Sequence, residues 1–262
     1  MDYMIWSVNP NLISMGGITI RWYGVLFALS FIMAIKIMEW VFKRENKNIE
    51  EVDSLLIYMM IGTIVGARLG HCLFYDPSYY LSNPLKILKI WEGGLASHGG
   101  AMGIILAGYI FSIKFKHNFV WLLDKIVIPA VLSGVFIRLG NLFNSEILGS
   151  QTTLPWAIIF NRIDSVPRHP VQVYESMVYL IIFITLFMTY KKFGTKLREG
   201  LLLGIFMITV FTARFFLEFV KVKQSAYSND FGFSTGQFLS IPFILLGVYM
   251  IFIYKSKKEA NG

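Results

Sequence analysis

Residues 120–143 read VWLLDKIVIPAVLSGVFIRLGNLF, and this stretch decides the fold. It is mostly apolar and long enough to cross a bilayer as an α-helix, which takes about 20 residues. Its apolar residues run on without alternation, which argues against a strand of a β-barrel. With six similar stretches, the predicted spans are residues 18–40, 53–76, 92–111, 120–143, 172–189, 199–219 and 234–254. The sequence therefore predicts an all-α polytopic membrane protein with seven transmembrane helices, in a single domain over residues 1–262.

The composition supports a membrane protein. Of the 262 residues, 55% are hydrophobic and only 15% are charged, against roughly 25% charged residues in soluble domains. The single Cys excludes a disulfide scaffold. The first 17 residues contain no Lys or Arg, unlike a cleavable signal peptide, so we expect the first span to remain in the mature protein. The net charge of +8 is not gathered on one face, so no nucleic-acid partner is expected.

The distribution of Lys and Arg predicts the orientation. The flanking segments 41–52, 112–119, 190–198 and 255–262 hold 12 Lys and Arg in 37 residues. The alternate segments 1–17, 77–91, 144–171 and 220–233 hold 6 in 74 residues, a density about four times lower. Because positive loops stay in the cytoplasm, we predict an outside N-terminus and a cytoplasmic C-terminus.

Polar side chains converge at one depth of the predicted bundle. Ionisable groups near the cytoplasmic ends (Lys36, Glu39, Asp124 and Lys125) are expected to be interface anchors or local ion pairs. Polar side chains toward the outer ends come from six spans, and they are Tyr23, Arg68, His71, Glu92, His98, Arg138, Asn141, Glu175, Arg214 and Glu218. Snorkelling explains single residues of this kind. Convergence from six helices instead predicts a functional site in the outer leaflet.

The densest polar stretch is residues 137–149, IRLGNLFNSEILG. Arg138 and Asn141 are three residues apart and share a helix face. Asn144 and Glu146 suit a helix end, and Gly149 is expected to supply a left-handed bend. The Arg138 guanidinium offers a planar fork for a phosphate. An ordinary polar helix terminus is the alternative.

A second stretch, residues 92–100, surrounds one histidine with glycines in the order EGGLASHGG. His98 is a candidate base near neutral pH. The alternative is a tight contact between helices through small residues, with the imidazole as an ordinary hydrogen-bonding group. Spacing alone does not separate these two interpretations.

The remaining polar residues are less specific. Arg214 and Glu218, at i and i+4, predict either a structural ion pair or a rigidly held arginine for a phosphate. Residues 168–175 carry His169, Gln172 and Glu175 around a proline that is typical of a helix start. Cys72 is expected to be a small core residue, and His117, in a predicted cytoplasmic loop, is expected to be inert. No spacing suggests a metal site, a phosphate loop or a dinucleotide-binding motif, so no cofactor is expected.

Residues 138–149 resemble the signature of the bacterial prolipoprotein diacylglyceryl transferase family, G-R-x-G-N-x-x-N-x-E-x-x-G. Five further landmarks of the family match in order, and they are residues 21–24, 66–70, 92–100, 169–175 and 214–219. The resemblance covers about residues 18–245. The chain departs from the pattern at Ile137 and Leu142, where Gly and Phe are usual, and residues 219–223 lack the usual Arg and Pro-Asp.

The resemblance implies transfer of a diacylglyceryl group from phosphatidylglycerol to the lipobox cysteine of a preprolipoprotein signal peptide. It also implies seven spans in the bacterial inner membrane, with a site toward the outer leaflet. Arg138 and Arg214 would hold the phosphate, and His98 would be the candidate base. The groups that would orient them or bind substrate are Tyr23, Asn141, Asn144, Glu146, Gly149 and Glu218, with Arg68, His169 and Glu175 in a secondary tier.

A small transporter or binding protein for an anionic solute or lipid is the alternative from another class. It would use Arg138 and Arg214 to bind the anion. A lipid-modifying enzyme needs a lateral opening at outer-leaflet depth, whereas a transporter needs access from both sides of the membrane.

The charge asymmetry predicts the outcome of fusion experiments. A reporter active only in the cytoplasm should be active when fused after residue 195, and silent when fused near residue 155. Reporter activity and the amount of fusion protein are measured together, so that silence is not confused with poor expression. The reverse pattern would overturn the orientation.

Overall fold

The computed structural model describes residues 3–90, 93–222 and 234–254, without the side chains of Ile18, Ser97 and Thr235. Glu92 and Lys223 lie outside the described residues. The helices are α1 (Trp22–Arg44), α2 (Glu51–Phe74), α3 (Pro77–Ser82), α4 (Ser97–Lys114), α5 (Phe119–Asn144), α6 (Val171–Phe193), α7 (Leu201–Leu217) and α8 (Thr235–Phe252). Short 3₁₀ turns cover Pro84–Leu88, Gly194–Lys196 and Glu218–Val220.

Most of the predicted spans correspond to long apolar helices. Within the described ranges, five helices are long and apolar enough to cross a membrane: Trp22–Arg44, Glu51–Phe74, Phe119–Asn144, Val171–Lys196 and Leu201–Val220. The other two predicted spans fall on α4 and α8, which have 18 residues each. The chain is thus a mainly helical, multi-pass membrane protein by composition, while the count of seven spans and the orientation stay predictions.

The all-α class is confirmed for the body of the protein, and short strands occur before the first helix and in the connection between α5 and α6. Within the described residues there are five, β1 (Met4–Trp6), β2 (Asn11–Met15), β3 (Ile18–Arg21), β4 (Ile158–Phe160) and β5 (Pro167–Arg168). β2 and β3 form an antiparallel hairpin, so the first helix begins at Trp22 rather than at residue 18. Similarly, α4 begins at Ser97, because glycines with positive φ at Gly93 and Gly94 precede it.

The chain divides into two compact units, one of residues 1–37 with 124–262 and one of residues 38–123. In the second unit, α2 and α4 pack through glycines spaced four residues apart. Gly62, Gly66 and Gly70 on α2 face Gly99 and Gly103 on α4 so closely that an added Cβ would collide with backbone atoms. A Cβ on Gly70, for example, would lie 2.7 Å from the Cα of Gly99. Small residues of this kind let helices approach closely in a membrane, where no hydrophobic effect drives them together.

The other face of α2 presents large apolar side chains. Ile57, Ile61, Val65, Leu69 and Leu73 recur every four residues, and each is more than one-third exposed. Such a stripe would be costly in water, because monomeric soluble proteins rarely expose extended apolar patches. The stripe therefore supports contact with lipid, independently of hydropathy.

The loops of the second unit are tied together around His117. The Nε2 of His117 is 2.6 Å from the Oε2 of Glu51, and its Nδ1 is 3.2 Å from the Nζ of Lys47. Because an ammonium only donates hydrogen bonds, Nδ1 accepts and the Nε2–H donates to the carboxylate. The Trp121 ring packs beside the imidazole, and its Nε1 donates to Glu45 at 2.8 Å. His117 is therefore not the inert loop residue that the sequence predicts, but joins three segments of this unit.

In the first unit, buried side chains cap the ends of helices. Asp124 is fully buried and accepts the backbone N–H of Leu203, in the first turn of α7, at 2.8 Å. It also pairs with Lys125 at 3.5 Å. Asp124 and Lys125 thus form the local ion pair that the sequence predicts as one of two alternatives. Asp124 is not an interface anchor, the other alternative, because it is buried and caps α7. Arg198 donates to the carbonyls of Met250 (3.0 Å) and Tyr254 (2.5 Å) at the end of α8.

A three-stranded sheet covers the end of α5 in the same unit. β4 lies between β1, to which it is parallel, and β5, to which it is antiparallel. Ile158 and Phe160 of β4 pack with Leu142 of α5 in one hydrophobic cluster, and Trp6 of β1 packs against it. Since Leu142 lies between Asn141 and Asn144, this cluster fixes the end of the helix that carries the densest polar stretch.

The glycine contact predicts different costs for the same substitution one turn apart on α4. A Cβ on Gly103 would lie 2.8 Å from the carbonyl carbon of Gly62, whereas a Cβ on Gly100 would meet its nearest atom, the Ala67 Cβ, at 3.5 Å, an ordinary van der Waals distance. Gly103→Ala should therefore destabilise the protein by about 1–3 kcal/mol, the usual cost of overpacking. Gly100→Ala should leave stability within about 0.5 kcal/mol. Thermal unfolding of both variants in detergent measures this, and equal unfolding temperatures would contradict it.

Candidate active site

Arg138 is the centre of a polar cluster in the first unit. It lies on α5, and its Nε is 2.9 Å from the Oε2 of Glu175 on α6. Its Nη1 donates to the Oδ1 of Asn141, one turn further along α5, at 3.2 Å. Tyr179, one turn after Glu175, interacts electrostatically with the same guanidinium. The predicted sharing of one face by Arg138 and Asn141 is therefore confirmed, and Glu175 and Asn141 hold the guanidinium.

Glu146 extends this cluster beyond the end of α5. Its two carboxylate oxygens accept hydrogen bonds from the amides of Asn141 and Asn144, both at 3.2 Å. Its backbone carbonyl accepts from the Nε2 of Gln172, a fully buried side chain on α6, at 2.5 Å. Asn141, Asn144 and Glu146 are thus brought together as the sequence predicts, and one continuous network joins them to Arg138.

The backbone around Glu146 has an unusual conformation. Ser145 and Ile147 have φ angles of 56° and 57°, in the left-handed region. Such angles cost on the order of 1–3 kcal/mol each for residues other than glycine. The prediction that Gly149 supplies the left-handed bend is wrong, because the bend lies at Ser145 and Ile147. Gly149 instead permits close packing, since a Cβ there would lie 2.7 Å from the Cβ of His169.

Two tyrosines flank Arg138, and each packs against a glycine of α5. A Cβ on Gly140 would lie 2.7 Å from the Tyr23 ring, and a Cβ on Gly134 would lie 2.9 Å from the Tyr179 ring. Tyr23 interacts electrostatically with both Glu146 and Arg138. The structure thus places Tyr23 in the cluster, as predicted, and it shows that the partner which approaches Gly140 is this ring.

The predicted ion pair between Arg214 and Glu218 is absent from the described residues. Arg214 is within electrostatic range of Tyr179, as Arg138 is. Glu218 instead lies 3.7 Å from the Nζ of Lys221 and against Gly236 in the first turn of α8. The backbone N–H of Glu218 still donates to the carbonyl of Arg214, so the helical spacing is kept and it is the Glu218 side chain that points toward Lys221 and α8.

Lys221 belongs to the cluster although the sequence gives no sign of it. Its Nζ donates to the Oε1 of Glu175 at 2.6 Å. The approach depends on a tertiary β-bridge with Gly149, which no local pattern reveals. Gln172 and Tyr179 were also not among the predicted site residues. Gln172 is three residues before Glu175 and Tyr179 is four residues after it, so all three share a helix face. This spacing is the sequence signal that could have identified them as site residues.

His169 takes part in a chain of side-chain contacts next to the cluster. The Trp156 Nε1 donates to the Tyr174 hydroxyl at 2.7 Å, and this hydroxyl lies 3.4 Å from the Nδ1 of His169. The adjacent Arg168 pairs with Asp164 at 2.6 Å, and this hydrogen bond holds the pKa of the Asp164 carboxyl below its usual range. Arg168 also donates to the carbonyl of Gly149 at 3.3 Å. These contacts fix the loop that carries Gly149.

In the second unit, Arg68 organises a loop. It is 3% exposed, and it donates to the backbone carbonyls of Lys86 (2.6 Å), Ile87 (2.9 Å), Gly93 and Gly94. Its guanidinium also lies 5.1 Å from the centre of the Tyr80 ring. Backbone carbonyls thus satisfy this arginine, and its secondary-tier role toward a substrate stays a prediction.

His98 lies in the first turn of α4, and the residue is exposed. The neighbouring Gly99 makes the tight contact with α2, since a Cβ there would lie 2.8 Å from the Cα of Gly70. The interpretation of this stretch as a close helix contact therefore holds for Gly99. It does not explain the exposed imidazole, so the role of His98 as a base stays a prediction. His71 stacks on Tyr75, and Cys72 is buried, as predicted.

The cluster in the first unit offers fixed positive charge next to amide groups. Arg138 and Lys221 supply cations, and the carboxylates of Glu175 and Glu218 pair with them. Fixed cations of this kind stabilise an anion that gains charge during a reaction, because they need little reorganisation. The described residues contain no group of three or more His, Cys, Asp or Glu that could hold a metal ion.

Comparisons with known proteins identify the family of the chain. A family model for the prolipoprotein diacylglyceryl transferases matches residues 10–253. Three relatives carry the name phosphatidylglycerol–prolipoprotein diacylglyceryl transferase. The one from Chloroherpeton thalassium is 51% identical over 261 residues (99% of this chain and 97% of the relative), that from Tolumonas auensis 46% over 256 residues (97% and 99%), and that from Bacteroides fragilis 40% over 268 residues (98% and 97%). The chain therefore belongs to the prolipoprotein diacylglyceryl transferase family.

Proposed function

We propose that this chain transfers a diacylglyceryl group from phosphatidylglycerol to the thiol of a lipobox cysteine in a preprolipoprotein. The match of the family model over residues 10–253 carries this conclusion. The products are a thioether-linked lipoprotein precursor and glycerol phosphate. The enzyme acts in the inner membrane of a bacterium, at the outer leaflet, where the acceptor cysteine emerges after translocation.

The reaction sets two requirements on the site. The acceptor thiol must lose its proton, and its sulfur then attacks the glyceryl carbon that carries the phosphate ester. The bond from this carbon to the ester oxygen breaks, and the electron pair leaves with glycerol phosphate. The leaving phosphate gains negative charge, so preorganised cations next to it lower the barrier.

Arg138 is the strongest candidate for binding this phosphate. Glu175 and Asn141 engage its Nε and one Nη, which fixes the plane of the guanidinium. A planar, fixed fork binds two phosphate oxygens at once, which a lysine does not. Arg214 is the second candidate, because the family resemblance assigns it to the phosphate and it is within electrostatic range of Tyr179, as Arg138 is. Tyr23, Asn144, Glu146, Gly149 and Glu218 support these groups or line the substrate site.

Two roles stay open for His98. As a base it would take the proton of the acceptor thiol, and its exposure at the start of α4 is compatible with that. Alternatively, it donates a hydrogen bond to lipid. In that second case the positive field of the arginines would lower the pKa of the acceptor thiol by itself.

The direct test is a transfer assay with purified protein. Phosphatidylglycerol and a synthetic lipobox peptide are incubated with the protein, and the mass of the peptide is measured. We expect a mass increase of one diacylglyceryl group, no transfer to a peptide with Ser in place of Cys, and no inhibition by a chelator. An unmodified peptide would overturn the proposal. Movement of an anionic solute across sealed vesicles would instead favour the transporter alternative.

Substitutions of Arg138 test the phosphate role. Arg138→Ala should abolish most transfer, by on the order of 10²-fold or more, because it removes a fixed cation from the site. Arg138→Lys keeps the charge without the two-pronged geometry and should retain partial activity. Rates are measured at equal protein levels in the same membranes. Full activity of Arg138→Ala would refute the assignment.

The base role of His98 predicts a particular pH dependence. Transfer by the wild type should fall at low pH, since a protonated imidazole cannot accept a proton. High pH should partly rescue His98→Gln, because a free cysteine ionises without help near pH 8.5. Rates for both proteins are measured at saturating phosphatidylglycerol from about pH 6 to pH 9. A His98→Gln profile that is lower but parallel to the wild type would exclude the base role.

A further inference from the structure

The Glu175 carboxylate is shared by two cations. Glu175 is 1% exposed, and its Oε2 is 2.9 Å from the Nε of Arg138, while its Oε1 accepts a hydrogen bond from the Nζ of Lys221 at 2.6 Å. The three residues come from α5, from α6 and from the segment after α7. One buried negative charge therefore faces two positive charges.

The backbone holds Lys221 in this position. Lys221 forms a β-bridge with Gly149, and hydrogen bonds on either side join Val222 to Leu148 (3.2 Å) and Ser150 to Val220 (2.8 Å). The only other carboxylate paired with Lys221 in the described part of the chain is that of Glu218, at 3.7 Å. The shorter contact, at 2.6 Å, makes Glu175 the principal partner.

The charges of this triad have a consequence for Arg138. Within this triad, the two positive charges of Arg138 and Lys221 face the single negative charge of Glu175. Without Lys221, the carboxylate would be left to Arg138 alone. A desolvated pair of opposite charges attracts strongly at low dielectric, so Arg138 would become neutralised and less able to bind an anion.

We propose that Lys221 is a positioning residue, which acts on Arg138 through the shared carboxylate of Glu175 and keeps Arg138 available to the substrate phosphate. Lys221 need not touch the substrate for this effect. The inference rests on the proposed function, since it concerns the phosphodiester of phosphatidylglycerol. A wild-type protein that fails to transfer would refute the proposed function, whereas differences among variants of an active enzyme bear on Lys221 alone.

The test combines single and double substitutions in the transfer assay, with phosphatidylglycerol varied in mixed micelles. Lys221→Met should raise KM for phosphatidylglycerol about tenfold, the effect expected for one weakened charge-assisted contact, with a smaller change in kcat. Lys221→Arg should stay close to the wild type. Lys221→Met combined with Glu175→Gln should be more active than Lys221→Met alone, because the neutral amide oxygen of Gln can still accept from the Arg138 Nε but no longer neutralises its charge.

Lys192→Met is the matched control, since it removes an exposed lysine near the other end of α6 and should leave kinetics unchanged. Wild-type kinetics in Lys221→Met would overturn the inference. So would a double variant no more active than Lys221→Met, with both proteins folded by thermal unfolding. If Lys221→Met does not fold, Lys221→Gln replaces it. If neither folds while Lys221→Arg does, Lys221 serves the fold and the inference is wrong.

Discussion

The ion pair between Arg138 and Glu175 is the interaction on which the rest of the site depends. Glu175 is almost completely buried, and a buried charge is tolerated only with a partner and good hydrogen bonds. Removal of one partner from such a pair typically costs about 3–5 kcal/mol. The site therefore requires α5 and α6 to remain in register, because these two helices carry the two charges.

Much of the surrounding structure serves that register. Gly134 and Gly140 leave room on α5 for the rings of Tyr179 and Tyr23, which lie on either side of the guanidinium. The sheet of β1, β4 and β5 packs on Leu142 and so fixes the end of the same helix. Hydrogen bonds from Asn141 and Gln172 then anchor Glu146 beyond that end. Apolar packing thus fixes the end of α5, and the polar network is built on that fixed helix end.

In both units, side chains satisfy backbone groups at helix ends and in loops. In the first unit, Asp124 accepts a backbone N–H at the start of α7, and Arg198 donates to a backbone carbonyl at the end of α8. In the second unit, Arg68 collects the carbonyls of the loop before α4. These three arginines therefore have two kinds of binding partner. Arg68 and Arg198 bind backbone carbonyls, whereas Arg138 is held by side chains.

The sequence alone determined the membrane class, the approximate positions of the helices and most members of the polar cluster. Hydrophobic length and charge depend on composition within one segment, so they need no tertiary information. Arg138 and Asn141 were predictable together because a helix fixes the direction of side chains three residues apart.

Only the tertiary structure decided which groups share a carboxylate. Lys221 reaches Glu175 through a β-bridge to Gly149, a residue more than seventy positions away in the chain. The Glu218 carboxylate pairs with Lys221 rather than with Arg214, although the helical backbone hydrogen bond between Glu218 and Arg214 is kept. Ser145 and Ile147 have the left-handed conformation, and Gly149 does not. Gly149 instead lies so close to His169 that a side chain would not fit there. Such outcomes depend on contacts between distant segments, which local periodicity and residue type do not encode.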